Sequence, residues 1–297
     1  MLIVDLRPVD PAWPDGPGEY ALQLTGALVR KAVHADITVL EPGFKGPLPA
    51  GEVLFQPAGG RPSPRHRCVV GVHDLAHLRS GLLGFPRRFH TAFATSRSDR
   101  VVVPSEAVAE ALAKYLRVPA QRIAIVPPGL EAGSGRTSLD EAEAVRKEFG
   151  LPERYLLAFG DGELARRAWE GASTPAEGAG LVLADDLRPP RERLPALLSR
   201  AVGVLLCESL NGCPIRALHA MACGCPPVVP DDGAFPEVVR DAGLTVRAGV
   251  LADWSEAISA LYRSQPLRTQ LSRRGRELAA GLSAERAAEK VLELLLI

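Results

Sequence analysis

The stretch that most constrains the fold of this chain runs from Val202 to Asp232. A wholly apolar run, VGVLL at 202–206, leads through a polar loop into a helix-forming segment at 214–223, which Gly224 closes before a second apolar run, PVV at 227–229. Strands that are apolar at every position are covered on both faces, and a helix between two of them is a βαβ crossover. Open parallel sheets bind ligands at the carboxyl ends of their strands. The segment 208–232 is therefore the expected seat of chemistry.

The same alternation continues along the chain. Before that stretch, strands are predicted at 2–6, 37–40, 52–56, 69–72, 101–103, 123–126, 155–159 and 181–184, and after it at 244–246. Helices are predicted after Asp15, at 86–97, at 105–116 with Ser105 as the N-cap, after Ser138 within the capping box SLDE, and at 192–200, 214–223, 235–240, 253–263, 266–280 and from 283 onward. This pattern predicts an α/β fold with parallel sheets. At 297 residues the chain exceeds the size at which one core usually splits. Residues 1–137 are expected to form one Rossmann-like lobe, 138–282 a second, and 283–297 a terminal helix that packs back on the first. The loop PAGGRPSPRHR at 57–67 carries arginines read as solvated.

Charge and cysteine content exclude several classes of function. Lys plus Arg and Asp plus Glu both number 35, so no net field recruits nucleic acid or an anionic membrane. The sequence gives no indication of peripheral membrane contact. Five cysteines without a CxxC pair fit buried thiols in a reducing compartment. No apolar run is long enough to span a bilayer, and a cytoplasmic location is expected. His73 and His77 stand four apart, but they leave a strand and lack the glutamate of a zinc hydrolase, so no metal and no cofactor is expected.

Several strings, taken in order, resemble the retaining glycosyltransferases of family 4. They are VVGVHDLAHLR at 69–79, SDRVVVPSEAVAEAL at 98–112, RIAIVPPGLE at 122–131 and LPALLSRAVGVLL, HAMACGCPPVV and FPEVVRDAGLTV between 194 and 246. The resemblance implies the GT-B fold: two Rossmann-like lobes with a cleft for a nucleotide-activated sugar. It also implies roles for particular residues. Gly16 and Gly18, in GPGEY, are similar to a first-lobe glycine loop near the donor phosphates, although the same residues fit a plain helix start. Glu19 stands where the family usually has Arg. His73 is similar to the histidine that faces the donor sugar. Arg166 and Arg167 stand near an Arg-Lys pair that holds the donor diphosphate, or else form a solvated helix face. Between 155–159 and 194–198 the chain is shorter than a family member, so a strand and a helix are expected to be missing or reduced.

Against the family pattern E-G-F-G-x-P-x-x-E-A-M-A-x-G, the two glutamates read Asn211 and His219. Gly212 is kept, and Cys213 and Pro214 follow it. Proline removes one backbone donor, yet it suits the first helical position. Losing both carboxylates weakens the expected grip on sugar and ribose. The resemblance then implies a retaining transferase that carries a sugar from a nucleotide-sugar to an acceptor glycan or small molecule. The alternative is a catalytically silent relative that serves as a binding or regulatory subunit of an active glycosyltransferase partner. A third class, a nucleotide-sugar epimerase, has no positive motif.

Overall fold

A computed structural model describes residues 1–10, 12, 15–32, 36–73, 85–135, 137–173, 177–208 and 212–296. The strands are β1 (Leu2–Asp5), β2 (Ile37–Leu40), β3 (Val53–Gln56), β4 (Arg67–Gly71), β5 (Arg100–Val103), β6 (Ile123–Ile125), β7 (Arg154–Gly160), β8 (Ala179–Leu183), β9 (Gly203–Cys207), β10 (Pro227–Pro230) and β11 (Leu244–Val246). The helices are α1 (Gly16–Lys31), α2 (Phe85–Arg97), α3 (Glu106–Leu116), α4 (Leu139–Glu148), α5 (Gly162–Glu170), α6 (Ala184–Leu187), α7 (Leu194–Arg200), α8 (Ile215–Cys223), α9 (Phe235–Val239), α10 (Leu251–Arg263), α11 (Gln265–Ala280) and α12 (Ala284–Leu296).

Two compact units result. The first holds residues 1–131, 210–215 and 282–297, and the second holds 132–209 and 216–281. The first contains a sheet in the order β2-β1-β3-β4-β5-β6 and the second a sheet in the order β11-β10-β9-β7-β8. Every pairing among the described strands is parallel. Such sheets need apolar cover on both faces, which explains the unbroken apolar runs. In the first unit, Val70, Val101 and Val103 pack with Val108 and Leu112 of α3. In the second, Leu156, Leu205 and Val228 pack with Trp254 and Ile258 of α10. Each buried aliphatic side chain of this kind contributes about 2 kcal/mol.

The order of strands fixes where ligands can sit. In the first sheet the chain runs from β1 to β2 on one side and returns to β3 on the other, so the switch point lies between β1 and β3. In the second sheet it runs from β7 to β8 and returns to β9, so the switch point lies between β7 and β9, where Gly160 is opposite Cys207. Crevices at the carboxyl ends of strands open at such points.

Local chemistry sets the helix starts. The Ser105 and Ser138 hydroxyls accept from the backbone N–H groups of Val108 and Glu141, as the capping signals require. Helix α8 begins at Ile215, which puts Pro214 just ahead of the first helical residue rather than on it. Helix α12 pairs with α1 through Arg30 to Glu285 and Lys31 to Glu289, and Leu130 bridges Ser283. Among the described residues, no helix is long and apolar enough to cross a membrane.

Candidate functional site

The first unit gathers polar groups at the ends of its central strands. Asp5 ends β1 and is 2% exposed; it accepts from Arg7 Nε at 2.8 Å and from Gln56 Nε2, at the end of β3, at 3.1 Å. Burial pushes the Asp5 carboxyl up, but the hydrogen bonds from Arg7 and Gln56 outweigh it and hold the acid below its ordinary value. The sequence reading missed this cluster, because Asp5 and Gln56 lie far apart in the chain. The available signal was a polar residue closing each apolar run.

His73 follows β4 and is 5% exposed. Its Nε2 lies 2.5 Å from the Pro57 carbonyl oxygen, which can only accept, so Nε2 carries the proton. Nδ1 is therefore a bare acceptor, buried and without a hydrogen-bond partner among the described residues. Burial pushes the imidazole down to about 4, so it is neutral near pH 7. The Tyr20 ring stands 4.8 Å away, its hydroxyl donating to the Val126 carbonyl. A cavity of about 200 Å³ opens here, lined by Pro17, Gly59, Gly60, Val72, His73 and Thr91. Asp74 and His77 lie outside the described residues.

Gly16 and Gly18 form the first turn of α1, where the Asp15 carboxylate accepts from the Gly18 N–H at 2.7 Å. This is the helix start that the glycines also fitted. Glu19 is buried and accepts from Gln23. The loop before α8 belongs to this unit. The Gly212 carbonyl accepts from Ser105 Oγ at 3.0 Å, and a Cβ on Gly212 would lie 2.1 Å from the His73 carbonyl oxygen. Gly212 is thus demanded by close approach to the His73 backbone. Asn211 lies outside the described residues.

The second unit builds its counterpart around the β7 and β9 ends. Gly160 has φ +86°, and a Cβ there would meet the Cys207 carbonyl and the Glu208 side chain at 2.7 Å. Asp161 caps α5 and accepts from the Glu163 and Leu164 N–H groups. A cavity of about 240 Å³ is lined by Phe159, Gly160, Glu163, Arg166, Asp185 and Asp186 among others. Arg166 is 55% exposed and pairs with Asp186 at 3.4 Å, and Arg167 is exposed on the same helix. Both arginines stand on the exposed face of α5, a helix that the sequence pattern does not announce. His219 is half-buried on α8. Arg216, one turn before it, was not singled out from the sequence. Its guanidinium pairs with Glu208 at 2.5 Å and lies 4.8 Å from the Phe159 ring centroid. Among the described residues no group of three or more His, Cys, Asp or Glu side chains could hold a metal ion.

Residues 55–133 match the family described as Glycosyltransferase Family 4, and residues 187–278 match Glycosyl transferases group 1. Over these two segments the chain is similar to glycosyltransferases, and its two parallel-sheet units have the GT-B fold. A D-inositol 3-phosphate glycosyltransferase of Actinosynnema mirum is 28% identical over 239 residues, 66% of this chain and 57% of that protein. A protein of the same name from Corynebacterium jeikeium is 25% identical, covering 81% of this chain and 48% of its own length. The chain thus spans about half the length of these curated relatives. Among solved structures, WaaG, a glycosyltransferase involved in lipopolysaccharide biosynthesis, aligns over 99% of both chains with a TM-score of 0.73 at 16% identity. Anabaena Alr3699/HepE in complex with UDP and glucose aligns over 99% of this chain and 98% of its own, with a TM-score of 0.73 at 13% identity. At these identities both show the fold.

Proposed function

We propose that this family-4-like chain is a glycosyltransferase that moves a sugar from a nucleotide-sugar donor to an acceptor hydroxyl with retention of configuration. The observation that carries the reading is the family match over 187–278 together with a cavity beside the switch point of the second sheet. UDP in the HepE complex supports a uridine diphosphate sugar as the first donor to test, and the names of the curated relatives support an inositol phosphate as the first acceptor. No cofactor and no metal enters the proposal. His73 Nδ1, bare and neutral, accepts a hydrogen bond from a hydroxyl of the transferred sugar. Asn211, Gly212 and His219 take up sugar, phosphate and ribose contacts, and Gly16 and Gly18 leave room for close approach to the donor. Fixed cations neutralise the departing diphosphate while an oxocarbenium-like centre forms. A cytoplasmic setting is supported by five buried cysteines, none of them in a disulfide.

A second reading, the silent binding or regulatory subunit, is favoured by one observation. The second-unit cavity is lined by Glu163, Asp185 and Asp186, and Arg166 is already paired. Fixed carboxylates oppose a diphosphate. Calorimetric titration with UDP, GDP, ADP and their glucose conjugates separates the readings from failure. Binding of one of them at a Kd of about 1 mM or tighter, followed by sugar transfer, supports the enzyme. Binding without transfer favours the silent relative, and no binding to folded protein removes both nucleotide-sugar readings.

A further inference from the structure

The exposed arginines of α5 do not make a strong diphosphate site. Arg166 is more than half exposed, and an ion pair of that kind with Asp186 is weakened by solvent screening. The N-terminus of α5, another natural anion site, is filled by the Asp161 carboxylate.

A different cation stands at the switch point of the second sheet. Arg216 occupies the first turn of α8, where the helix dipole adds positive potential. Along α8 the residues are buried except for Arg216, His219 and Ala222, which form a partly buried stripe at helical spacing. Arg216 therefore shares a face with His219, one turn nearer the helix start. Its guanidinium is held on two sides: the Phe159 ring lies 4.8 Å away, and Glu208 Oε1 is at 2.5 Å. Gly160, which lines the cavity, allows this approach because any side chain there would strike the Glu208 stem.

We propose that Arg216 is the cation that receives the donor diphosphate, and that Glu208 occupies it until a phosphate oxygen displaces the carboxylate. The inference rests on the glycosyltransferase reading and adds a residue to it. The side chains of the pair are 14% and 20% exposed. Removing one partner from such a pair leaves an uncompensated charge, whereas exchanging one anion for another keeps the guanidinium paired. Glu208 then acts as an internal competitor. It holds the fork of Arg216 in place without ligand and swings toward water when a diphosphate arrives.

The test is calorimetric titration of UDP, with uridine as the control lacking phosphate, into the wild type, Arg216→Gln, Arg216→Lys, Glu208→Gln and Arg166→Gln, each checked by thermal melting. Arg216→Gln is expected to weaken UDP about tenfold or more, with uridine unchanged. Arg216→Lys restores part of the loss. Glu208→Gln is expected to tighten UDP by about threefold, because a neutral amide competes less well. If Arg216→Gln does not fold, the Glu208→Gln result decides. The inference is overturned if Glu208→Gln leaves UDP unchanged or weaker, which is the behaviour of a fixed staple. It is also overturned if Arg166→Gln weakens UDP more than Arg216→Gln does. Failure of the folded wild type to bind UDP, GDP or ADP would sink the proposed function and this inference together. Tight binding that ignores Arg216 would sink this inference alone.

Discussion

His73 and Gly212 carry the most information per residue. The native imidazole of His73 is held at about 4, below its ordinary 6.5, so the unfolded chain binds a proton between these values that the native chain does not. Stability from this group is therefore complete above pH 6.5 and is lost as pH falls toward 4, by about 2 kcal/mol at pH 5. Urea unfolding at pH 7.5 and pH 5 should show that loss in the wild type, and His73→Asn should flatten it. An equal loss in the variant would assign the effect to other groups. Gly212→Ala should cost about 1–3 kcal/mol, because the new methyl group meets the His73 carbonyl and Val108. Chemical denaturation measures it, and a neutral outcome would mean that the loop moves aside freely. Neither constraint was readable in the sequence. Gly212 stood out as a pattern residue, but its contact with His73 joins segments far apart in the chain. The Glu208 to Arg216 pair was hidden for a related reason: the two stand 8 residues apart, and no helical or strand spacing relates them.

Elements were far more legible than contacts. All eleven described strands coincide with the predicted runs to within a few residues, because the central ones, such as β9 and β10, are buried at every position and read as unbroken apolar runs. The serine caps were equally readable, since capping chemistry is local. Helix α5 was missed because its fully buried stripe is only Ala165 and Ala168, too narrow to show as a period among its charges. Ser105→Ala removes both the cap of α3 and the bond to the Gly212 carbonyl and should cost about 1–2 kcal/mol by urea unfolding. In α12, Val291 is fully buried, whereas Lys31 and Glu289 are partly exposed. Val291→Ala should cost about 2 kcal/mol and Lys31→Ala less than about 1, since apolar packing and not the surface ion pairs holds the helix. Equal costs would reverse that ranking.

At the scale of the molecule, the sequence indicated two parallel-sheet units, and the strand orders supply what it could not: where each sheet reverses direction. Those switch points fall beside Asp5 and Gln56 in the first unit and beside Gly160 and Glu208 in the second. The sequence expectation keeps 210–215 in the second lobe and sends 283–297 back to the first, whereas the observed first unit holds 1–131, 210–215 and 282–297. A short loop such as 210–215 that joins the other unit gives no compositional sign of doing so. Sugar transfer with retention is checked by proton NMR of the reaction with UDP-glucose and an inositol phosphate. The expected outcome is release of UDP and an α-linked product from the α-linked donor. A β-linked product, or intact donor after prolonged incubation with folded protein that binds it, would contradict the claim.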